Sequence, residues 1–395
     1  MRPFDIINQL SVTYHACRAC IGVIVLQNHP LVSVLVPICN VEKYLDECLS
    51  SLQNQTLKDI EIVCINDGST DSSLDITNKY ASQDSRFVVI DKANSGYGDS
   101  MNRGLETAKG KYISILESDD FLDSDALEFM VQKAEDNALD LFKCNFWLYW
   151  SSCDSSRLNR HDAYFPAMSQ ELIGMGVHKP IDAPDAFWAK PSIWSALYRK
   201  DFLTSNSISF LPTPGASFQD TSFTFKVLAC AQRAMYSGKA FLHYRQDNEH
   251  SSVNNPGKVF CVCDEHHEMS RFLNEDRPDL KTALDPIRAK VKFYNYDWNL
   301  NRLAPELRRD FIAVFSDEMA EELRAGNVVC AEPPFDRYGF NPGEFDRVKD
   351  FAENTDLLTV QYSLTGSGKF NTIREYFAAG GLSMVVRMMK RKLRR

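Results

Sequence analysis

From Leu31 to about Trp150 the chain alternates short apolar runs with stretches whose apolar residues recur every three or four positions. The first run, Val-Ser-Val-Leu-Val at 32–36, closes on Pro37. Residues 41–53 follow, with Val41, Leu45, Cys48, Leu49 and Leu52 on one helical face. A second run at 60–65 enters the turn composition Asn-Asp-Gly-Ser-Thr-Asp at 66–71. The same reading predicts a helix over 74–80, a strand over 87–90, a helix over 100–108 and a fourth strand over 112–117. The order β-α-β-α-β-α-β predicts an α/β fold with a mainly parallel central sheet flanked by helices. Beyond Ser151 the pattern is less regular, and from Val259 it is mostly helical, broken by a proline-bearing loop at 327–343. The expected organisation is an extension at 1–30, one half of an α/β domain at 31–150 and its second half at 151–258. A helical C-terminal region at 259–376 and a terminal segment at 377–395 follow.

Open sheets of this kind bind ligands beyond the carboxyl ends of their strands. The residues there are 37–40, 66–71 and 117–120, and they are acidic. Glu117-Ser118-Asp119-Asp120 gathers three carboxylates, whose repulsion is costly unless a cation or solvent offsets it. Hard oxygen ligands suit Mg2+ or Mn2+, which would let an acidic site hold a diphosphate. The plain alternative is a solvated acidic loop, with Asp123 and Ser124 capping the next helix. Asp67 has the acceptor capacity to bind a base N–H or a ribose hydroxyl, or simply forms an Asx turn. No GxGxxG follows the first strand and no GxxxxGK[ST] occurs anywhere, which argues against a dinucleotide dehydrogenase and a P-loop NTPase.

The net charge of −9 excludes an ordinary nucleic-acid binder, which needs a basic surface. The charge is uneven: 387–395 carries six basic residues and no acidic one, and 377–393 interleaves them with apolar side chains. A helix of that kind lies on an anionic leaflet or ends in solvent. The eleven cysteines are scattered, several within apolar runs, as reduced thiols are. Cys17-x-x-Cys20 has no second pair at zinc spacing, and the apolar stretch 21–26 is too short to span a bilayer. A cytoplasmic protein at the inner face of the membrane is the expectation.

Val-Ser-Val-Leu-Val-Pro-Ile-Cys-Asn at 32–40 and Ile-Asn-Asp-Gly-Ser-Thr-Asp at 65–71 are followed by Asn94-Ser95-Gly96 and Asn102-Arg103-Gly104-Leu105. Gly110-Lys111-Tyr112-Ile113 then leads to Glu-Ser-Asp-Asp. This ordered set resembles the family 2 glycosyltransferases, which have the Rossmann-like GT-A fold. Residues 193–203 and Phe-Gln-Asp-Thr-Ser-Phe at 218–223 are similar to the acceptor-side stretch and catalytic acidic motif of bacterial members.

The resemblance implies a nucleotide diphosphate sugar, with uridine as the preferred base, bound by Pro37, Asn40, Asp67, Gly96, Asn102, Glu117 and Asp119. It implies Mn2+ or Mg2+ on Asp119 and Asp120, and Asp220 as the base of an inverting transfer. The acceptor implied is a glycan or lipid-linked hydroxyl in cell-surface polysaccharide assembly. The chain departs from the pattern at Glu117, where Asp is usual, and at Gln219, where Glu often precedes the base. Read without the family, Asp220 is a helix-start aspartate. His243-Tyr244-Arg245 with Ser251 and Ser252 would contact the diphosphate or serve the structure. Trp188 and Trp194 would stack on an acceptor sugar or pack in the core. A nucleotide-sugar-binding scaffold without turnover is the alternative from another class, and a sugar nucleotidyltransferase a third.

Overall fold

The computed structural model describes residues 29–152, 161–248, 258–331 and 338–363. The expectations for 1–28, including the Cys17/Cys20 pair, for Ser251 and Ser252, and for the basic segment 377–395 lie outside the described residues. The first half follows the sequence pattern closely. It runs β1 (Val32–Ile38), α1 (Glu42–Gln53), β2 (Ile60–Asp67), α2 (Ser73–Gln83), β3 (Phe87–Lys92), α3 (Tyr97–Thr107) and β4 (Tyr112–Ile115). β1 and β2 are buried along their whole length because helices cover both faces of a parallel sheet, which is why they read as unbroken apolar runs.

β5 (Phe121–Leu122), α4 (Ala126–Asn137), β6 (Leu141–Tyr149) and β7 (Asp162–Phe165) come next. After α5 (Gln170–Gly174) and α6 (Asp185–Trp188) the chain forms β8 (Ala196–Arg199), α7 (Lys200–Ser205), α8 (Gln219–Cys230) and β9 (Ala234–Arg245). The sheet order is β3-β2-β1-β4-β8-β6-β9-β5, with β7 on β6. The first four strands are parallel, β8 is antiparallel to β4 and β6, and β5 is antiparallel to β9. The sheet is therefore mixed: β6 and β9 pair in parallel beyond the reversed β8, and this second half is what the irregular pattern beyond Ser151 conceals. The helix after the acidic turn starts at Ala126 with Asp125 as its cap residue and no side-chain cap, so Asp123 and Ser124 do not cap it.

The helical region comprises α9 (Cys261–Arg271), α10 (Lys281–Arg302), α11 (Arg308–Arg324), α12 (Pro342–Glu353) and α13 (Thr355–Ser363). It has its own core, in which Phe293, Phe311, Phe315 and Phe351 meet, Phe315 and Phe351 stacking at 4.1 Å. A buried ionic network ties α10 to α11. Arg288 grips Glu322 with two bonds of 2.6 and 2.7 Å, and Lys292 reaches Glu322 at 2.7 Å and Glu318 at 3.1 Å. Glu322 is held down to about 2: burial opposes its ionisation, but Arg288 and Lys292 more than offset that. No helix among the described residues is long and apolar enough to cross a membrane. Glu322→Ala strands Arg288 and Lys292 without their carboxylate, and denaturant unfolding is expected to lose about 3–5 kcal/mol.

Candidate active site

At the carboxyl edge of the sheet, side chains from three strand ends fasten one loop to the next. Pro37 is buried inside β1. The carbonyl of Leu35 takes the N–H of Leu116 at 3.0 Å, so Pro37, two residues on, faces the same neighbour where β4 has already ended. Its missing N–H therefore costs no ladder bond. Asn40 is left-handed, with φ 51°. Its amide oxygen accepts from Thr70 N–H at 2.7 Å and its own N–H donates to Ser69 Oγ at 3.1 Å, joining this loop to the 66–71 turn.

Asp67 is turned into the protein. Its carboxylate accepts from Lys92 Nζ at 2.5 Å and from the N–H groups of Ser95 at 2.8 Å and Gly96 at 3.0 Å. Through these bonds it organises the strap ahead of α3. Gly96, at φ 100°, is required there because a Cβ would lie 2.7 Å from the carbonyl oxygen of Thr213. Tyr97 N–H donates to Gly215 carbonyl at 2.9 Å. Asn102 donates to the carbonyl of Phe210 and accepts from its N–H, both at 2.9 Å. Gly96 and Asn102 thus hold the 210–218 loop, which leads directly to Asp220.

The acidic turn is held from below by Arg245 at the end of β9. Its Nε donates to the carbonyl of Asp119 at 2.8 Å, its backbone N–H to Asp120 Oδ1 at 2.8 Å, and its guanidinium also reaches Ser151 and Glu47. The rings of Tyr44 and Tyr149 cover the guanidinium at 4.6 and 4.9 Å. Arg245 is buried, so it serves the turn, and His243 stacks on Phe121 and meets Asp123 at 3.1 Å. Of the two expected metal ligands, Asp120 is 1% exposed with Oδ2 meeting no protein partner, and burial pushes its pKa well up. Asp119 is part-exposed and accepts from Asn248 at 2.8 Å. Among the described residues no three His, Cys, Asp or Glu side chains converge as a metal cage.

Glu117 accepts the Tyr97 hydroxyl at 2.6 Å. Its pKa is raised to about 8, first by burial and then by Asp119 and Asp220, against the Tyr97 bond. Asp220, in the first turn of α8, is raised to about 6 by burial, against the pull of Lys190 and Lys143. Those lysines, together with Tyr97, are residues of this cluster that sequence reading missed. Lys143 is buried in β6, donates to Ser192 carbonyl at 2.9 Å, and is lowered to about 7 by burial. A lysine inside the apolar run 141–149 is the signal that would have found it. The Lys190 ammonium lies 4.4 Å from the Tyr244 ring and 5.5 Å from Phe146. Trp194 stacks on Tyr244 at 4.9 Å and is nearly buried, so it packs as core.

The α8 helix is braced from the helical region. Glu265 accepts from Ser222 N–H at 3.2 Å, and Lys226 pairs with Glu268 at 3.0 Å. Phe218, left-handed at φ 64°, holds its ring against Trp298 at 5.7 Å. Gln219 donates to Thr213 Oγ1 at 2.9 Å and accepts from Ser217 N–H at 2.5 Å, so it secures the loop where a second carboxylate is often found.

Glu117 carries a pH signature. Its folded pKa of about 8 lies above the ordinary 4.5, so its contribution to stability is complete below about 4.5 and is lost as pH rises through 8. Glu117→Gln is expected to match the wild-type melting temperature near pH 4 and to exceed it at pH 8 in metal-free buffer, as thermal denaturation across pH will show.

The family model for glycosyl transferase family 2 matches residues 33–188. EpsH of Bacillus subtilis, named as a glycosyltransferase, is 34% identical over 308 residues, covering 78% of this chain and 85% of EpsH. EpsJ of the same organism, an uncharacterised glycosyltransferase, is 30% identical over 68% of this chain and 70% of its own. The poly(ribitol-phosphate) beta-glucosyltransferase of Bacillus spizizenii is 31% identical over 56% of this chain and 33% of its own length. With its strand order, its acidic turn after β4 and relatives matched over most of their length, this chain belongs to glycosyltransferase family 2 and has the GT-A fold.

Proposed function

We propose that the protein transfers a sugar from a nucleotide diphosphate donor, a UDP-sugar, to a hydroxyl of a growing cell-surface glycan or its lipid-linked precursor, with inversion at the anomeric carbon. One observation carries this reading: Asp220, its pKa raised to about 6 by burial, shares an electrostatic centre with Glu117, Lys190 and Lys143. A carboxylate so poised is largely ionised at neutral pH yet still basic enough to take a proton. It would accept the acceptor hydroxyl proton while the oxygen attacks the anomeric carbon, and the nucleoside diphosphate leaves from the opposite face. Lys190 and Lys143 favour the ionised base.

Asp119, part-exposed, and Asp120, whose Oδ2 has no protein partner, fit Mg2+ or Mn2+, ions that take few protein oxygens and fill their shell with water and phosphate. Such an ion would neutralise charge developing on the leaving diphosphate. Pro37, Asn40 and Asp67 shape the floor on which the nucleotide is proposed to lie. Asp67 and Asn40 act there by holding loops, as do Gly96 and Asn102. A polymeric acceptor agrees with the name of the Bacillus spizizenii relative. The basic segment 377–395 is proposed to bind an anionic leaflet.

Asp220→Asn is expected to lower transfer by about 10²–10⁴-fold while leaving donor affinity near wild type, measured by nucleoside diphosphate release and calorimetry. Tight donor binding without turnover in the wild type, given membrane-derived acceptors, would favour a silent scaffold. The wild-type rate should rise as pH climbs through about 6, where Asp220 ionises. Lys190→Met removes a charge that lowers that pKa, so the acidic limb of its pH–rate profile should move to higher pH.

A further inference from the structure

One face of α10 places Lys290, Tyr294, Trp298 and Arg302 at intervals of four residues, a ridge about 18 Å long. Its aromatic rings are open to solvent: Trp298 is 49% exposed and Tyr294 36%. Two rings from the transferase domain extend it. Trp188 meets Tyr294 edge-on at 6.2 Å, and Phe218 meets Trp298 at 5.7 Å. Cations lie over these rings, Lys290 4.9 Å from Trp188 and Arg302 5.0 Å from Phe218. Both extending residues adjoin the reaction centre in sequence, Phe218 two residues before Asp220 and Trp188 two before Lys190. Exposed rings of this kind mark a binding surface.

We propose that this ridge is an acceptor platform, on which the sugar units behind the reacting one lie against Trp298 and Tyr294 as an extended glycan. This rests on the glycosyltransferase reading above. Sugar rings offer apolar C–H faces to aromatic side chains and hydroxyls to charged ones, and the ridge supplies both kinds of partner. Carboxylates flank it: the Tyr294 hydroxyl donates to Glu344, and Arg347 pairs with Asp297 at 2.6 Å. Mixed donors and acceptors suit hydroxyl groups. A run of several sugar units matches the length of the ridge and makes affinity depend on acceptor length.

The test uses the full chain on a printed array of bacterial surface glycans of graded length, with UDP present. Wild type, Tyr294→Ala and the double variant Tyr294→Ala/Trp298→Ala are compared, and Tyr294→Ala alone leaves Phe218 braced. Binding by the wild type should strengthen with chain length, and the double variant should lose about tenfold on long glycans and little on short ones. Nucleoside diphosphate release from the donor should stay within about twofold in Tyr294→Ala, which leaves the brace on Phe218 in place. Equal binding by all three proteins, no length dependence or no glycan bound by the wild type would overturn the platform. So would loss of binding to phosphatidylglycerol vesicles in the variants, which would make the ridge a membrane face, or a changed mass by light scattering, which would make it a contact between copies. Failure of every UDP-sugar to release UDP in the wild type would instead overturn the glycosyltransferase reading itself.

Discussion

The buried Arg245 guanidinium is the constraint on which the site depends. Three carboxylates within four residues would not hold one turn beside a sheet edge on their own, because each raises the cost of ionising the next. Arg245 puts a fixed positive charge beneath them, ties down the Asp119 carbonyl and the Asp120 carboxylate, and is itself kept dry by Tyr44 and Tyr149. Because it sits at the end of β9, it also fastens the acidic turn to the second half of the sheet. Asp120 thereby has one carboxylate oxygen bonded to the protein, and Asp119 is part-exposed.

A second chain of contacts carries the proposed base. Asp67 orders the strap at 94–96, the strap and Asn102 hold the 210–218 loop, and that loop ends in the left-handed Phe218 just ahead of α8. From the other side α9 supplies Glu265 and Glu268 to the same helix, and α10 supplies Trp298 to Phe218. The helical region therefore fixes where Asp220 stands, and its own buried ion network keeps α10 and α11 in register behind it. A carboxylate whose pKa depends on burial and two nearby ammonium groups needs this rigidity, because small displacements change all three influences at once.

The parallel half of the fold was legible because β1 and β2 are buried on both faces and their intervening helices on one, so each element wrote its own period into the chain. The second half of the sheet was not. β6 interrupts its apolar run with Lys143 and Asn145, β8 is four residues long, and β9 carries Gly238 and Lys239 mid-strand. The acidic turn and Asp220 could be picked out by residue type and order. The functions of Asp67, Gly96 and Asn102 could not, since each side chain or backbone meets partners far away in sequence. The ring cluster around Lys190 draws on residues 146, 165, 194 and 244, a convergence no local pattern encodes.

The central claim is that Asp220 serves a single displacement at the anomeric carbon. Proton NMR of the transfer product reads that directly through the anomeric coupling of the newly attached sugar. The account predicts a configuration opposite to that in the nucleotide donor. A product that keeps the donor's configuration would contradict it, because one displacement assisted by one base cannot retain stereochemistry.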